Sequence, residues 1–386
     1  EVIDLIIDAG AEHAVTADLV AFEIINPVEL GKVTIQNIHY TNPMGSEAVS
    51  LETMTADNCT LHLTEPVNIA LPQTPLDDCI ALSGTGVSIS FDDNKQINTA
   101  AFASNQLNRE GVESATLTDI QIVSDDMVKA TVAEINIKDI VQSLRTDAFD
   151  DNHQLDSREW QHIVDNLSIG HFSINDLLVE DVTGTGKLGI LAIDGFKNGA
   201  LEKFQLAGID VNVSNHEANP NMQLGNFEIS KLSLNRVHRM FDAMGVSTST
   251  EPEAQLENLM TQTLGDIGVL ISPLIYESLV VSDLSIAGNM APDSRIEFGL
   301  ERGNAGLGDP VQLEGSNMTF AKKARTAYEG LYLKVSDNSP IKPAIAGILG
   351  VEDFERVSIN GKASVTWDEE AGLFTHNIED TSIDDI

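Results

Sequence analysis

Apolar and polar residues alternate along much of this chain, slip by one position at a polar pair, and then alternate again. One copy is Val33-Thr-Ile35-Gln-Asn37-Ile38-His-Tyr40, and another is Ala115-Thr-Leu117-Thr-Asp119-Ile120-Gln-Ile122. Further copies are Phe172-Ser-Ile174-Asn-Asp176-Leu177-Leu-Val179, Phe204-Gln-Leu206-Ala-Gly208-Ile209-Asp-Val211 and Phe227-Glu-Ile229-Ser-Lys231-Leu232-Ser-Leu234. Leu279-Val-Val281-Ser-Asp283-Leu284-Ser-Ile286 repeats it again, and Ile135-Asn-Ile137-Lys-Asp139-Ile140 is a shorter version. Period-two alternation buries one face of a strand. A polar pair in mid-strand would swap the faces unless a bulge or a sharp bend absorbs the slip. Asn, Asp or Gly at the second polar position suits such a kink, because these residues enter left-handed backbone most cheaply. The pattern therefore predicts bent or bulged strands along the chain. The copies are unevenly spaced, so a fixed-period solenoid is not expected.

Helical spacing interrupts the strands. Asp139 to Leu167 reads as helix, loop, helix, with the break at Asp147 to Ser157. Asn235 to Met244 is a second candidate, and Glu253 to Tyr276 is the longest, with Pro252 as a start signal. Ile341 to Leu349 is a short apolar helix ended by Gly350. The expected fold is α+β and β-dominated: long curved antiparallel sheets of bent or bulged strands, with a few helices packed on one face. Residues 1–138 form a β-rich N-terminal region holding both cysteines. Residues 139–386 form a β-rich region with inserted helices, and the boundary falls within 139–168.

Charge narrows the function. Sixty acidic residues against 22 basic ones give a net charge of −38 over 386 residues. Such a surface repels phosphate backbones, so no nucleic-acid partner is expected. It keeps a protein soluble in a salty medium, and it also fits cations or a basic partner. No apolar run reaches the ~20 residues a membrane helix needs. The best candidate, Leu264 to Tyr276, contains Asp266, Ser272 and Pro273. No membrane span is expected in this chain, and any signal or anchor would lie outside it. The two cysteines, Cys59 and Cys79, suit one disulfide closing a modest loop, which would contribute ~3 kcal/mol in the loop-entropy model. That bond implies an oxidising compartment. The other reading is two buried thiols serving as small apolar residues.

Candidate chemistry is sparse. Gly184-Thr-Gly186-Lys-Leu-Gly189 matches a dinucleotide fingerprint in its letters, but Ile190-Leu-Ala-Ile193-Asp-Gly195 continues as a strand where a helix should open. A hairpin turn is the better reading. Asp150 to Gln161 faintly resembles a calcium loop, yet Leu155 and Gln161 stand where Gly and Glu are required. No zinc spacing or nucleophile elbow occurs, so neither catalytic residues, nor a metal, nor a cofactor is expected, and the chain is not read as an enzyme.

Three stretches carry a family likeness: Leu167 to Leu177, Gly195 to Gly208, and Leu349 to Asp368 with Gly350, Gly361 and Trp367. They resemble bacterial cell-envelope proteins of the AsmA-like and DUF945-like kind. The resemblance implies an exported, periplasmic, largely β protein, and some AsmA-like relatives are associated with phospholipid transport along an apolar groove. It carries over no functional residue.

Two functions follow as expectations. The first is an envelope protein that binds or carries lipid or another apolar ligand, in a groove lined by Phe204, Phe227, Val269, Leu270 and Leu274. The second is a non-catalytic structural or interaction protein of the envelope, which holds a protein partner by its acidic face or a sheet edge.

Overall fold

The computed structural model describes residues 3–8, 14–26, 29–41, 48–61, 76–77, 79–91, 95–107, 111–124, 128–142, 166–214, 218–233, 276–291, 294–312, 319–368 and 371–384. The chain forms two compact units, Glu1–Ala192 and Ile193–Ile386. The first holds β1 (Ile3–Asp8), β2 (Ala14–Asn26), β3 (Glu29–Thr41), β4 (Ala48–Leu61), β5 (Leu76–Asp77) and β6 (Cys79–Phe91). It continues with β7 (Lys95–Leu107), β8 (Gly111–Ser124), β9 (Val128–Gln142) and β10 (Leu167–Glu180). β11 (Gly184–Lys197) runs through the boundary. The second unit holds β12 (Ala200–Val213), β13 (Asn221–Ser233), β14 (Ser278–Ala291), β15 (Ser294–Gln312), β16 (Thr319–Val335), α1 (Lys342–Leu349), β17 (Arg356–Asp368) and β18 (Leu373–Asp384).

Within each unit, chain neighbours pair antiparallel. β1 to β4 and β6 to β10 form one such succession, with β4 also pairing the two-residue β5. β12 to β18 form another. The described residues are therefore β-dominated and antiparallel with little helix, as the alternation predicts.

The second polar residue of every motif copy is a left-handed kink. Asn37, Asp119, Asp139, Asp176, Gly208, Lys231 and Asp283 all have positive φ, between 50° and 67°. The same kink recurs where the motif is less regular, at Asn58, Gly86, Gln106, Gly195, Asp309, Gly330 and Asp380. Every strand from β6 to β16 carries one such residue.

Most kinks add no residue. Toward β4, Gln36 pairs Thr53 and Ile38 pairs Leu51, so Asn37 stands against a single residue, Glu52, whereas toward β2 the register shifts, with Thr16 on His39 and Asp18 on Gln36. Asp119 and Asp283 are flanked in the same one-for-one way. At Asp119 and Asp283 the slip is absorbed by backbone rotation rather than by an inserted residue. True register shifts surround β17, which has no left-handed residue of its own. There Glu329 and Gly330 stand against Asn360 alone, and the Gly330 N–H donates to Asn360 Oδ1 at 2.6 Å.

Glycine opposite a kink gives the next strand's side chain somewhere to lie. A Cβ on Gly225 would sit 2.6 Å from Asp283 Oδ2, and one on Gly170 would sit 2.7 Å from the Asp139 Cβ. Aromatic rings use the same device: Phe102 covers Gly84, Tyr332 covers Gly299 and Tyr328 covers Gly361.

One helix expectation is corrected. Residues 139–142 are the end of β9, and Asp139 is its kink residue rather than a helix start. The other end of that helix–loop–helix, Leu167, is the first residue of β10, while residues 143–165, with the acidic loop at 150–161, lie outside the described residues, as do 235–244 and 253–275. The side chains of Cys59 and Cys79 also lie outside what is described. The helix expected at 341–349 is α1, whose chain reverses at Gly350 with φ 74°, while the Val351 N–H donates to the Ala346 carbonyl at 3.0 Å.

Candidate functional site: apolar rows across the second unit

Register turns the alternation of single strands into continuous rows. In the second unit, Val211 pairs Met222, Met222 pairs Ile286, and Ile286 pairs Phe298. Phe298 pairs Leu333, which pairs Val357. Two residues along lie Ile209 with Leu224, then Leu284, Leu300, Leu331, Ile359 and Ile383, the last five joined by successive pairs. Residues two apart share a face of a pleated strand, so both rows lie on one face. Beyond the kinks the rows resume as Leu206, Phe227, Val281, Gly303 and Tyr328, and as Phe204, Ile229, Leu279, Ala305 and Thr326.

α1 covers one part of this surface. Val335, Ala346, Phe354 and Val357 form a buried cluster, packed by Ile296, Leu333, Ile341, Ile345, Leu349 and Val351. Lys342 fixes the helix start: its Nζ lies 2.5 Å from Asp337 Oδ1 and 2.7 Å from Asp353 Oδ1, and 5.5 Å from the Phe354 ring centroid. Hydrogen bonds from Lys342 hold the Asp353 carboxyl below its ordinary value, and those with Asp337 and Asp353 raise the ammonium above its own.

Away from α1 the row is open. Phe298 is 46% exposed, Ile286 49% and Val211 37%. Exposed apolar residues occurring singly are ordinary, whereas a row of them in register is a surface suited to an apolar contact.

The other face is polar and tightly tied. The Tyr332 hydroxyl donates to Glu297 Oε1 at 2.7 Å, and the Arg356 guanidinium stacks 4.2 Å above the Tyr332 ring centroid while pairing with Glu301. Burial, and then the bond to Glu297, push the Tyr332 hydroxyl up to about 12. A polar groove of about 400 Å³ in this unit is lined by residues including Arg302, Tyr328, Lys362 and Asp380, and the first unit has its own, of about 490 Å³, lined by residues including His39, Glu52, Asn98 and Asp119.

Of the residues expected to line an apolar groove, Phe204 and Phe227 come together. Their rings meet edge to face with centroids 6.3 Å apart. Val269, Leu270 and Leu274 lie outside the described residues. Ile286, Phe298, Met222 and Val211 went unnoticed in the sequence as partners, although their alternation was visible. The glycine-rich run at 184–189 opens β11. Asp181 Oδ1 accepts from the Thr183 and Gly184 N–H groups at 2.7 and 2.8 Å in a tight turn, so no helix N-terminus faces a phosphate there. Among the described residues no helix is long and apolar enough to cross a membrane.

No family model, curated protein or solved structure matches this chain.

Proposed function

We propose that this chain is an exported protein of the bacterial cell envelope that binds an apolar ligand, of the acyl-chain class, along the rows of its second unit. The observation that carries the reading is the row Val211, Met222, Ile286, Phe298, whose members pair directly and include three side chains more than a third exposed. An apolar face of this kind costs free energy in water, at ~25 cal/mol per Å², until something covers it. The sequence likeness to AsmA-like envelope proteins supports the same ligand class and the same location. The acidic surface serves solubility and takes no part in ligand contact.

Mass spectrometry of an organic extract from gently purified full-length protein tests the reading. A stoichiometric fatty acid or phospholipid is expected. A lipid-free extract, together with no uptake of a fluorescent fatty acid, would overturn it.

A second reading has its own observation. β18 pairs with β17, and Leu373, Ile378 and Ile383 on it are exposed. A strand with clustered exposed apolar side chains offers a surface to a protein partner. On that reading the chain is a non-catalytic interaction protein, and a pull-down would recover a partner that is lost when Ile378 is changed to Pro.

A further inference from the structure

We infer that the polar groove of the first unit is a binding site for a neutral oligosaccharide. The inference is independent of the apolar-ligand reading. The groove, of about 490 Å³, crosses β3, β4, β6, β7 and β8. One wall is a single row of the register: His39 pairs Ser50, Ser50 pairs Ser88, Ser88 pairs Asn98 and Asn98 pairs Gln121. The floor is the row of kinks. Asn37, Gly86 and Asp119 have φ of 50°, 62° and 52°, and Glu52 and Ala100 stand between them on β4 and β7. Gly86 and Ala100 raise little bulk, so the floor lies low at its middle, where Glu52 lies across Gly86. Five strands spaced by ~4.8 Å make the trough roughly 19 Å long.

Residue types around the trough name the ligand class. On its other side runs a second row, Gln36, Thr53, Thr85, Ala101 and Thr118. Beyond that runs a third, Thr34, Thr55, Ser83, Ala103 and Thr116. None of the three rows contains Asp, Glu, Lys or Arg, although the chain carries 60 acidic and 22 basic residues. An ordinary surface is about 25–35% charged, which would place about four or five charges in these rows. Solubility alone does not produce an uncharged strip in so acidic a chain. The rows hold no large apolar side chain either, so they do not suit an apolar partner.

A sugar supplies the complement of this surface. Hydroxyl and amide side chains both donate and accept, and a carboxylate only accepts. Sugar hydroxyls donate and accept in turn, are closely spaced and carry no charge. Glu52 and Asp119 are exposed, and their carboxylates accept from such hydroxyls. Among the described residues lining the groove none is Lys or Arg, so a phosphate, sulfate or uronate would meet two carboxylates without a counter-charge. An acyl chain would leave the ladder's polar groups unpaired. The walls are held in place before any ligand arrives: Gln96 Nε2 donates to Ser88 Oγ at 2.9 Å, and the Thr53 and Thr85 hydroxyls lie 2.7 Å apart. Side chains fixed in this way lose less freedom on binding.

The test is calorimetric titration of the full chain with maltohexaose, cellohexaose, xylohexaose, mannohexaose and chitohexaose as neutral probes, and with hexagalacturonate as the charged one. At least one neutral hexasaccharide should bind with a Kd below ~1 mM, and the hexagalacturonate should not bind. Asn98→Ala and, separately, Gln121→Ala should each weaken that binding about tenfold or more, the loss expected when a hydrogen bond to the sugar is removed. Asn304→Ala, in the polar groove of the second unit, should leave it unchanged. Thermal melts of each variant separate lost contact from lost folding, and the exposed Gln121 decides if Asn98→Ala melts early. No binding of any neutral probe, tighter binding of the hexagalacturonate, or unchanged affinity in a folded Gln121→Ala variant would overturn the inference.

Discussion

The Phe227 ring meets the Phe204 ring at 75°, with centroids 6.3 Å apart, although the two residues are diagonal rather than direct partners across β12 and β13. Phe204 pairs Ile229 and Phe227 pairs Leu206, so four apolar side chains close into one patch on the far side of the kink from Phe298. Edge-to-face contact adds to the area these rings bury. Phe227→Ala should cost about 1–3 kcal/mol, less than the ~3–5 expected of a fully buried phenylalanine. Urea unfolding of the variant measures it, and an unchanged midpoint would mean that the patch does not support the unit.

The kink at Asp176 should tolerate only certain residues. Its φ of 53° is costly for a β-branched side chain and free for glycine. Asp176→Val should destabilise by about 1–2 kcal/mol, while Asp176→Gly should stay within ~0.5 kcal/mol. Paired thermal or urea melts separate the two, and equal losses in both variants would assign the effect to the lost carboxylate.

Gly299 should be coupled to Tyr332. A Cβ at 299 would collide with the Tyr332 ring, which lies across the glycine. Gly299→Ala should cost about 1–3 kcal/mol through overpacking. In a Tyr332→Ala background the same substitution should cost at least 1 kcal/mol less, the signature of contact in a double-mutant cycle. Additive losses would show that the ring does not need the space.

Tyr332 should ionise late. Its hydroxyl is pushed up to about 12 from an ordinary 10.0, first by burial and then by its bond to Glu297. The folded-state value lies above the unfolded one, so the stability it contributes is complete below pH 10 and is lost as pH rises through about 12. Phenolate absorbance, compared between the native protein and Tyr332→Phe, should show the missing step near the upper value. A missing step near 10 would contradict the buried, hydrogen-bonded hydroxyl.

Local backbone chemistry was the most legible layer of the fold. Asn37, Asp119, Asp176 and Asp283 announce their kinks, because residue type and a one-step slip in alternation point to the same position. Lys231 kinks equally but is not a residue that favours left-handed backbone, so only the slip marks it. The form of the kink was less legible. Bulge and bend leave the same trace in one strand, and they are distinguished by counting residues in the partner, as at Asp119 and Ala100. Asp139 shows the opposite failure: its flanking residues fit a helical start, and the pairing with β8 and β10 overrides that local fit. The candidate site was half legible. Phe204 and Phe227 stand out as large apolar residues in motif copies, whereas the pairing of Ile286 with Phe298 depends on the register set by a turn between two strands. The packing of Tyr332 on Gly299 is invisible without that register.

The apolar row can be examined directly with a photoreactive amino acid placed at Phe298, on the row, or at Lys334, which lies on the opposite face of β16 from Leu333 and Val335. The protein would be irradiated after loading with a radiolabelled fatty acid, and the labelled peptide identified. Ligand held along the row predicts labelling from position 298 and little from 334. Equal labelling from both positions, or labelling from 334 alone, would contradict the claim that this face carries the ligand.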